Sequence, residues 1–291
     1  MELPLVVGVD GSESSLGAVD WAVEEATRHG VPLRLVYASL WERYEGEVPS
    51  YSVDRPSEQV LADNIVGTAA ERAHQRNPDV KVSTDVLAED AVTALLREGQ
   101  NAFAVITGSR GRGGLSGLLL GSVSLAVAAR AHCPVIVVRG DKAALSGVHE
   151  RILLGVGDLA AGSSAVTFAF REAEARGCTL DAVRAWRQPA YDTTDHPLLA
   201  GDAAKFHEMR AATLLDEALG RAAGEHPAVQ VRRATVEGPA RKVLLERSAA
   251  ADLLIVGARR RHGHVGLQLS RLAHAALHHA ACPVAVIPQR V

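Results

Sequence analysis

The sequence predicts two α/β domains in tandem, each a five-stranded parallel sheet with helices on both faces. Three observations lead to this. The chain repeats itself: residues 8–38 align without gaps on residues 155–185 with eleven of 31 positions identical, and residues 104–137 align on 253–286 with 14 of 34 identical. Within each copy, short apolar runs alternate with amphipathic stretches, the pattern of strand–helix units in a parallel sheet. At 291 residues the chain can supply each copy with its own core.

The first copy sets out the elements in order. Leu5–Val9 is a short apolar run suited to a fully buried strand. A helix follows from about Ser15 to His29 and stops at Gly30, a C-terminal glycine. Leu33–Ala38 is the second strand. A helix then begins near Pro56–Ser57 and ends before Asn77-Pro78, and Val80–Leu87 alternates as a third strand. Ala91–Gln100 reads as a helix, and Ala104–Gly108 and Pro134–Val138 as strands, separated by a glycine-rich loop and a helix over Ser122–Ala131. A repeat near 148 residues far exceeds the roughly 20–50 of a solenoid unit, so each copy is a whole domain. The copies span residues 1–141 and 149–291, with the polar stretch Arg139–Glu150 as linker. The last strand of each, Val135–Val138 and Val284–Ile287, would be a bare edge, and bare edges tend to pair. The two halves are therefore expected to pair through them about a pseudo-two-fold axis; a homodimer of the chain is expected as well.

Composition excludes several classes. A formal charge of −3, from 31 basic and 34 acidic residues, predicts no general attraction to nucleic acid or to anionic membrane. No apolar run approaches the ~18 residues that span a bilayer, and the start of the chain lacks the pattern of a secretion signal. Cys133, Cys178 and Cys282 form an odd, widely spaced set, neither a disulfide framework nor a zinc site, and Cys133 and Cys282 read as core residues. The expected compartment is the cytoplasm.

In such a sheet a ligand binds beyond the carboxyl ends of the strands, where the strand order reverses. Two strand ends stand out. The first reads Gly8-Val-Asp10-Gly-Ser12; the fourth opens into Gly108-Ser109-Arg110-Gly111-Arg112-Gly113-Gly114 and resumes at Gly121-Ser122-Val123-Ser124. Glycines there let backbone N–H groups approach an anion, and Gly121-Ser122 opens a helix whose N-terminus favours phosphate. Ser122 and Ser124 can add hydroxyl donors. Asp10 suits a ribose hydroxyl or a metal ion carried by the phosphates. Each residue also has a structural reading: glycines make turns, Ser122 caps helices, and Asp10 could cap the first helix. Both strand ends together favour the binding reading.

The spacing Gly108-x-x-Gly111-x(9)-Gly121-Ser122 resembles the ATP-binding signature of universal stress proteins, as do the opening Val-Val-Gly-Val-Asp-Gly-Ser and the His-Cys-Pro-Val before the last strand. The resemblance covers nearly the whole chain, once per half, as in the tandem members of that family. It implies Rossmann-like domains of the adenine nucleotide alpha hydrolase type and an ATP, with Mg2+ as a companion, in the first half. It implies that Asp10 reaches the ribose, that backbone near Ala38 meets the adenine, and that Gly108 to Gly114 and Gly121 to Val123 cradle the phosphates, with Arg110 and Arg112 adding charge. The implied role is to sense or sequester nucleotide in a stress or dormancy response; slow ATP hydrolysis is the alternative, although no base or nucleophile can be named.

The second half departs from the signature. Gly108 is matched by Gly257, but Gly111 becomes Arg260, Gly121 becomes Ser270, Ser122 becomes Arg271 and Asp10 becomes Gly157. Side chains there should obstruct a phosphate and be strained wherever φ is positive; alternatively Arg259, Arg260, Arg261 and Arg271 bind phosphate by charge. The chain has no P-loop, no Gly-x-Ser-x-Gly elbow and no kinase motif set. Arg110–Gly114 is a single Arg-Gly-Gly fragment, too little for RNA. His274 and His278, four apart, read as surface histidines rather than zinc ligands. Trp41–Arg55 and Arg187–Lys205, carrying Trp41, Tyr44, Tyr51 and Tyr191, read as loops over the sites.

Overall fold

Each copy of the repeat forms five parallel strands. The computed structural model describes residues 2–40, 57–111, 120–157, 163–187, 200–259 and 269–289. The chain divides into two units, Met1–Arg139 and Gly140–Val291.

The first unit runs β1 (Leu5–Gly8), α1 (Glu13–His29), β2 (Leu33–Ala38), α2 (Ser57–Arg76), β3 (Val82–Leu87), α3 (Ala91–Glu98), β4 (Ala104–Gly108), α4 (Ser122–Arg130) and β5 (Val135–Val138). Strand order is β3-β2-β1-β4-β5, all parallel. Each strand of β4 and β5 is buried at every residue, as expected of strands covered on both faces. α1 packs on α2, and α3 on α4. The chain winds outward from β1 to β3, then crosses back to β4, so the order reverses between β1 and β4. That is where the site lies.

Local chemistry fixes the element ends. Ser12 caps α1, its Oγ accepting from the Ser15 N–H at 3.2 Å, so the helix starts at Glu13 rather than at Ser15 as the sequence suggests. It ends where Gly30 takes φ 66°, its N–H donating to the Ala26 carbonyl. Its buried face carries Ala18, Ala22 and Ala26 beside Val19, Trp21, Val23 and Glu25. Asp90 caps α3 through the Thr93 N–H. That helix stops at Glu98, two residues before the expected Gln100, because the chain tightens into a 3₁₀ turn over Gly99–Asn101. β3 opens at Val82 rather than Val80 because Asn77 Oδ1 accepts from the Asp79 N–H and holds the preceding residues in a turn.

The second unit runs α5 (Lys142–Leu145), β6 (Arg151–Gly155), α6 (Ser164–Arg176), β7 (Thr179–Trp186), α7 (Ala200–Glu225), β8 (Val231–Glu237), α8 (Ala240–Ser248), β9 (Leu253–Arg259), α9 (Arg271–His279) and β10 (Val284–Gln289). Its order, β10-β9-β6-β7-β8, repeats the first, and its strands are parallel. The stretch read as a linker contains α5, capped by Asp141 through the Ala144 N–H, and Asp141 also donates its own N–H to the Ala281 carbonyl. Of the two expected loops, Trp41–Arg55 lies outside the described residues, as do residues 188–199 with Tyr191. From Ala200 the second is helical rather than looped, in keeping with its run of alanines. Cys133 and Cys282 are buried, Cys178 is half-buried, and all three are free thiols. Among the described residues no helix is long and apolar enough to cross a membrane.

Candidate functional site

The carboxyl ends of β1, β2 and β4 enclose a cavity of about 370 Å³, completed by α3 and the first turn of α4. One wall is a row across the sheet: Val36 pairs in register with Gly8, and Gly8 with Thr107. Residues paired in register share a face. A Cβ on Gly8 would sit 2.9 Å from Leu95 Cδ1, so this is the face that α3 covers, and Ala91 and Leu95 close over it. With Ala38 two residues beyond Val36, one end of the cavity is apolar.

The other end is built of backbone. Ser124 donates its hydroxyl to the Gly108 carbonyl at 2.8 Å, which ties α4 to the end of β4. The Gly121 N–H donates to the Ser109 carbonyl at 2.9 Å, bringing the two ends of the glycine-rich loop together. The Arg110 N–H donates to Ser14 Oγ at 3.1 Å, and a Cβ on Gly108 would come within 2.5 Å of the Ser14 carbonyl oxygen. The bare Cα of Gly108 therefore allows β4 to meet the first turn of α1. Asp10 forms a turn of its own, its Oδ1 accepting from the Ser12 N–H at 3.0 Å and from the Ser12 hydroxyl at 2.6 Å. Its other oxygen faces Gly111, where a Cβ would lie 2.7 Å from Oδ2.

Gly121 is of a different kind. Its φ of −66° and ψ of 144° suit any residue, and among the described residues a Cβ there would meet nothing nearer than 3.8 Å. Neither its conformation nor its packing against those residues requires a glycine. It also leaves α4 without a side-chain cap, so the N–H groups of Ser122, Val123 and Ser124 find no acceptor among the described residues. Those donors, together with the positive end of the helix dipole, open on the cavity.

Of the residues singled out from sequence, Gly8, Asp10, Ala38, Gly108, Arg110, Gly111, Gly121, Ser122, Val123 and Ser124 all line the one cavity. Ser109 does not line it; its carbonyl closes the loop instead. Arg112, Gly113 and Gly114 lie outside the described residues. Val9, Ser15, Val36, Ala91, Leu95, Thr107 and Leu120 line the cavity too and were not singled out, since most of them read as ordinary core positions.

The corresponding ends of the second unit differ in one decisive respect. Gly155 and Leu244 repeat the contact of Gly8 and Leu95, with a Cβ on Gly155 falling 2.6 Å from Leu244 Cδ1. At α9, however, Ser270 stands where Gly121 would, and its Oγ accepts from the Ala273 N–H at 3.0 Å. The helix caps itself and uses a donor that α4 leaves open. Backbone strain plays no part in this difference, since Gly108, Gly111 and Gly121 do not take positive φ. Arg184 of β7 donates to the Gly157 carbonyl at the end of β6. Arg260 and Arg261 lie outside the described residues. His274 is exposed as expected, but His278 is half-buried; their rings stack at 4.4 Å.

Comparison with known proteins reproduces this two-part architecture. The universal stress protein family model matches residues 3–139 and again residues 149–288. A universal stress protein of Mycobacterium tuberculosis is 32% identical over 304 residues, covering 98% of this chain and 97% of that protein. One from Mycolicibacterium smegmatis is 30% identical, covering 99% and 98%. Among solved structures, a universal stress protein from Archaeoglobus fulgidus has a TM-score of 0.67 at 17% identity, covering 98% of each chain.

Proposed function

The chain belongs to the universal stress protein family, and from that premise we propose that its first half binds an adenine nucleotide, ATP, to sense or sequester it in a stress or dormancy response. The observation that carries this is the pairing, in one cavity, of an apolar end with an uncapped helix N-terminus. Val36, Ala38, Ala91 and Leu95 offer a neutral ring a dry surface. The first turn of α4 offers a phosphate N–H groups and a favourable dipole. At about 370 Å³ the cavity falls in the size range of small-molecule sites.

The fit of the phosphates rests on Gly121, whose missing side chain is explained by nothing among the described residues and would be explained by a ligand lying against it. Ser122, Val123 and Ser124 would hold the anion, Gly108 to Gly111 would border it, and Arg110 would add charge at the exposed rim. Asp10 would reach the ribose or a Mg2+ carried by the phosphates. The second half, with Ser270 already capping α9, would bind nucleotide weakly or not at all. The function proposed is binding rather than turnover, since no nucleophile or general base has been assigned among the lining residues. Three free thiols support a reducing compartment, the cytoplasm, and we place the chain there as a homodimer.

The test is direct. Freshly purified protein is denatured and the released small molecules are identified by mass spectrometry, and the ligand-free chain is titrated calorimetrically with ATP, ADP and AMP. Released adenine nucleotide and a single tight site are expected. No released nucleotide and no heat with any of the three would overturn the reading.

A further inference from the structure

The floor of the cavity holds a polar side chain that the protein does not satisfy. Thr107 is 4% exposed, and its Oγ1 has no hydrogen-bond partner among the described residues. Buried hydroxyls are nearly always paired, and one that is not calls for an explanation. Its place in the sheet supplies one. Thr107 stands in register with Gly8 on β1, which in turn pairs with Val36, and all three line the cavity under Leu95. The missing side chain of Gly8 leaves the Thr107 side chain bordered by bare backbone on that side.

The second unit acts as an internal control. There the row reads Val183, Gly155, Val256, with Leu244 above it. Every member is repeated except that a methyl group replaces the hydroxyl. The fold therefore accepts Val at this point, and packing alone does not call for the hydroxyl.

We propose that Thr107 Oγ1 hydrogen-bonds a neutral polar atom at the buried, base-bearing end of the ligand, and so selects which ring systems enter. This rests on the nucleotide reading of the same cavity. Thr107 stands in register between Gly8 and Val137 on a wall of the cavity that Val36 and Leu95 also line, surroundings in which a phosphate would lose its hydration without return. A hydroxyl both donates and accepts, which suits a purine ring nitrogen or amino group. The phosphates belong at the other end, with the N–H groups of α4.

The experiment compares the full chain with Thr107→Val, which keeps the shape and removes the hydroxyl, and with Thr107→Ser, which keeps the hydroxyl. Each is titrated calorimetrically with ATP and with inorganic tripolyphosphate, which has no base. Thr107→Val is expected to raise the Kd for ATP about tenfold. It should leave the Kd for tripolyphosphate unchanged and should not lower the ligand-free Tm, since an unsatisfied polar atom has been removed. Thr107→Ser should restore ATP affinity. If Thr107→Val binds ATP as the wild type does, or loses the same factor for both probes, the proposal is wrong. If the wild type binds neither probe, the nucleotide reading falls, and this proposal with it.

Discussion

Replacing Gly121 by Ser should remove most of the nucleotide affinity and leave the fold untouched. The substitution copies what the second half has already done at Ser270. The backbone of Gly121, φ −66° and ψ 144°, accepts a serine, and among the described residues the new Cβ would meet only atoms at 3.8 Å or beyond. As an N-cap, serine is better than glycine by a few tenths of a kcal/mol, so the ligand-free Tm should hold or rise slightly. The new Oγ would accept from the Ser124 N–H, as Ser270 does from Ala273 at 3.0 Å. That takes one of three donors from the phosphate and sets a lone pair against it. A hydrogen bond to a charged group contributes about 1.5–3 kcal/mol, and each 1.4 kcal/mol is a factor of ten, so the Kd should rise about 10- to 100-fold. Calorimetric titration with ATP, beside thermal melts of ligand-free protein, reads both quantities. Unchanged affinity would mean that the first turn of α4 does not hold the anion. Lost affinity with a fallen Tm would mean that Gly121 is structural after all.

Gly108→Ala should behave in the opposite way, because a Cβ would press on the Ser14 carbonyl at 2.5 Å; a loss of about 1–3 kcal/mol in urea unfolding is expected for such overpacking, and an unchanged midpoint would mean α1 shifts at no cost. Burial pushes the Cys133 thiol up to about 11 from an ordinary value of 9.0. Its folded pKa is the higher one, so its contribution is complete below pH 9 and lost as pH rises toward 11; the fall in Tm across that window should be shallower in Cys133→Ala, and equal slopes would remove the linkage. ATP incubated with the chain should be released intact, at rates far below the roughly 1–10³ s⁻¹ of ordinary enzymes; sustained turnover in that range, abolished by replacing a single carboxylate, would reveal an active site.

The strand–helix order could be read from the sequence because periodicity and caps are local, and two of the boundaries that moved did so through a side chain. Ser12 and Asn77 shifted an element start by accepting a nearby N–H. The glycines were harder. Gly108 and Gly121 look alike in sequence, yet one makes room for Ser14 and the other for nothing among the described residues. That distinction depends on what crosses from α1, ninety residues earlier, and no local pattern carries it. Leu95 and Ala91 were hidden because a cavity wall and a core use the same side chains. Thr107 did leave a trace: Ala104-Val-Ile-Thr107 is matched by Leu253-Leu-Ile-Val256, and one hydroxyl interrupts an otherwise apolar run.

The two ways in which the repeat ends its fourth helix also divide the chain's stability. α9 closes its own terminus, so its contribution is fixed by the sequence. α4 leaves that closure to whatever occupies the cavity. A ligand bound only to folded protein adds RT ln(1 + [L]/Kd), about 2.7 kcal/mol at a concentration one hundred times Kd. The first half would thus resist opening, and the proteases that exploit opening, in proportion to how full its site is. A cell that exhausts its supply of ligand would shorten the life of this protein without any signal passing to another molecule.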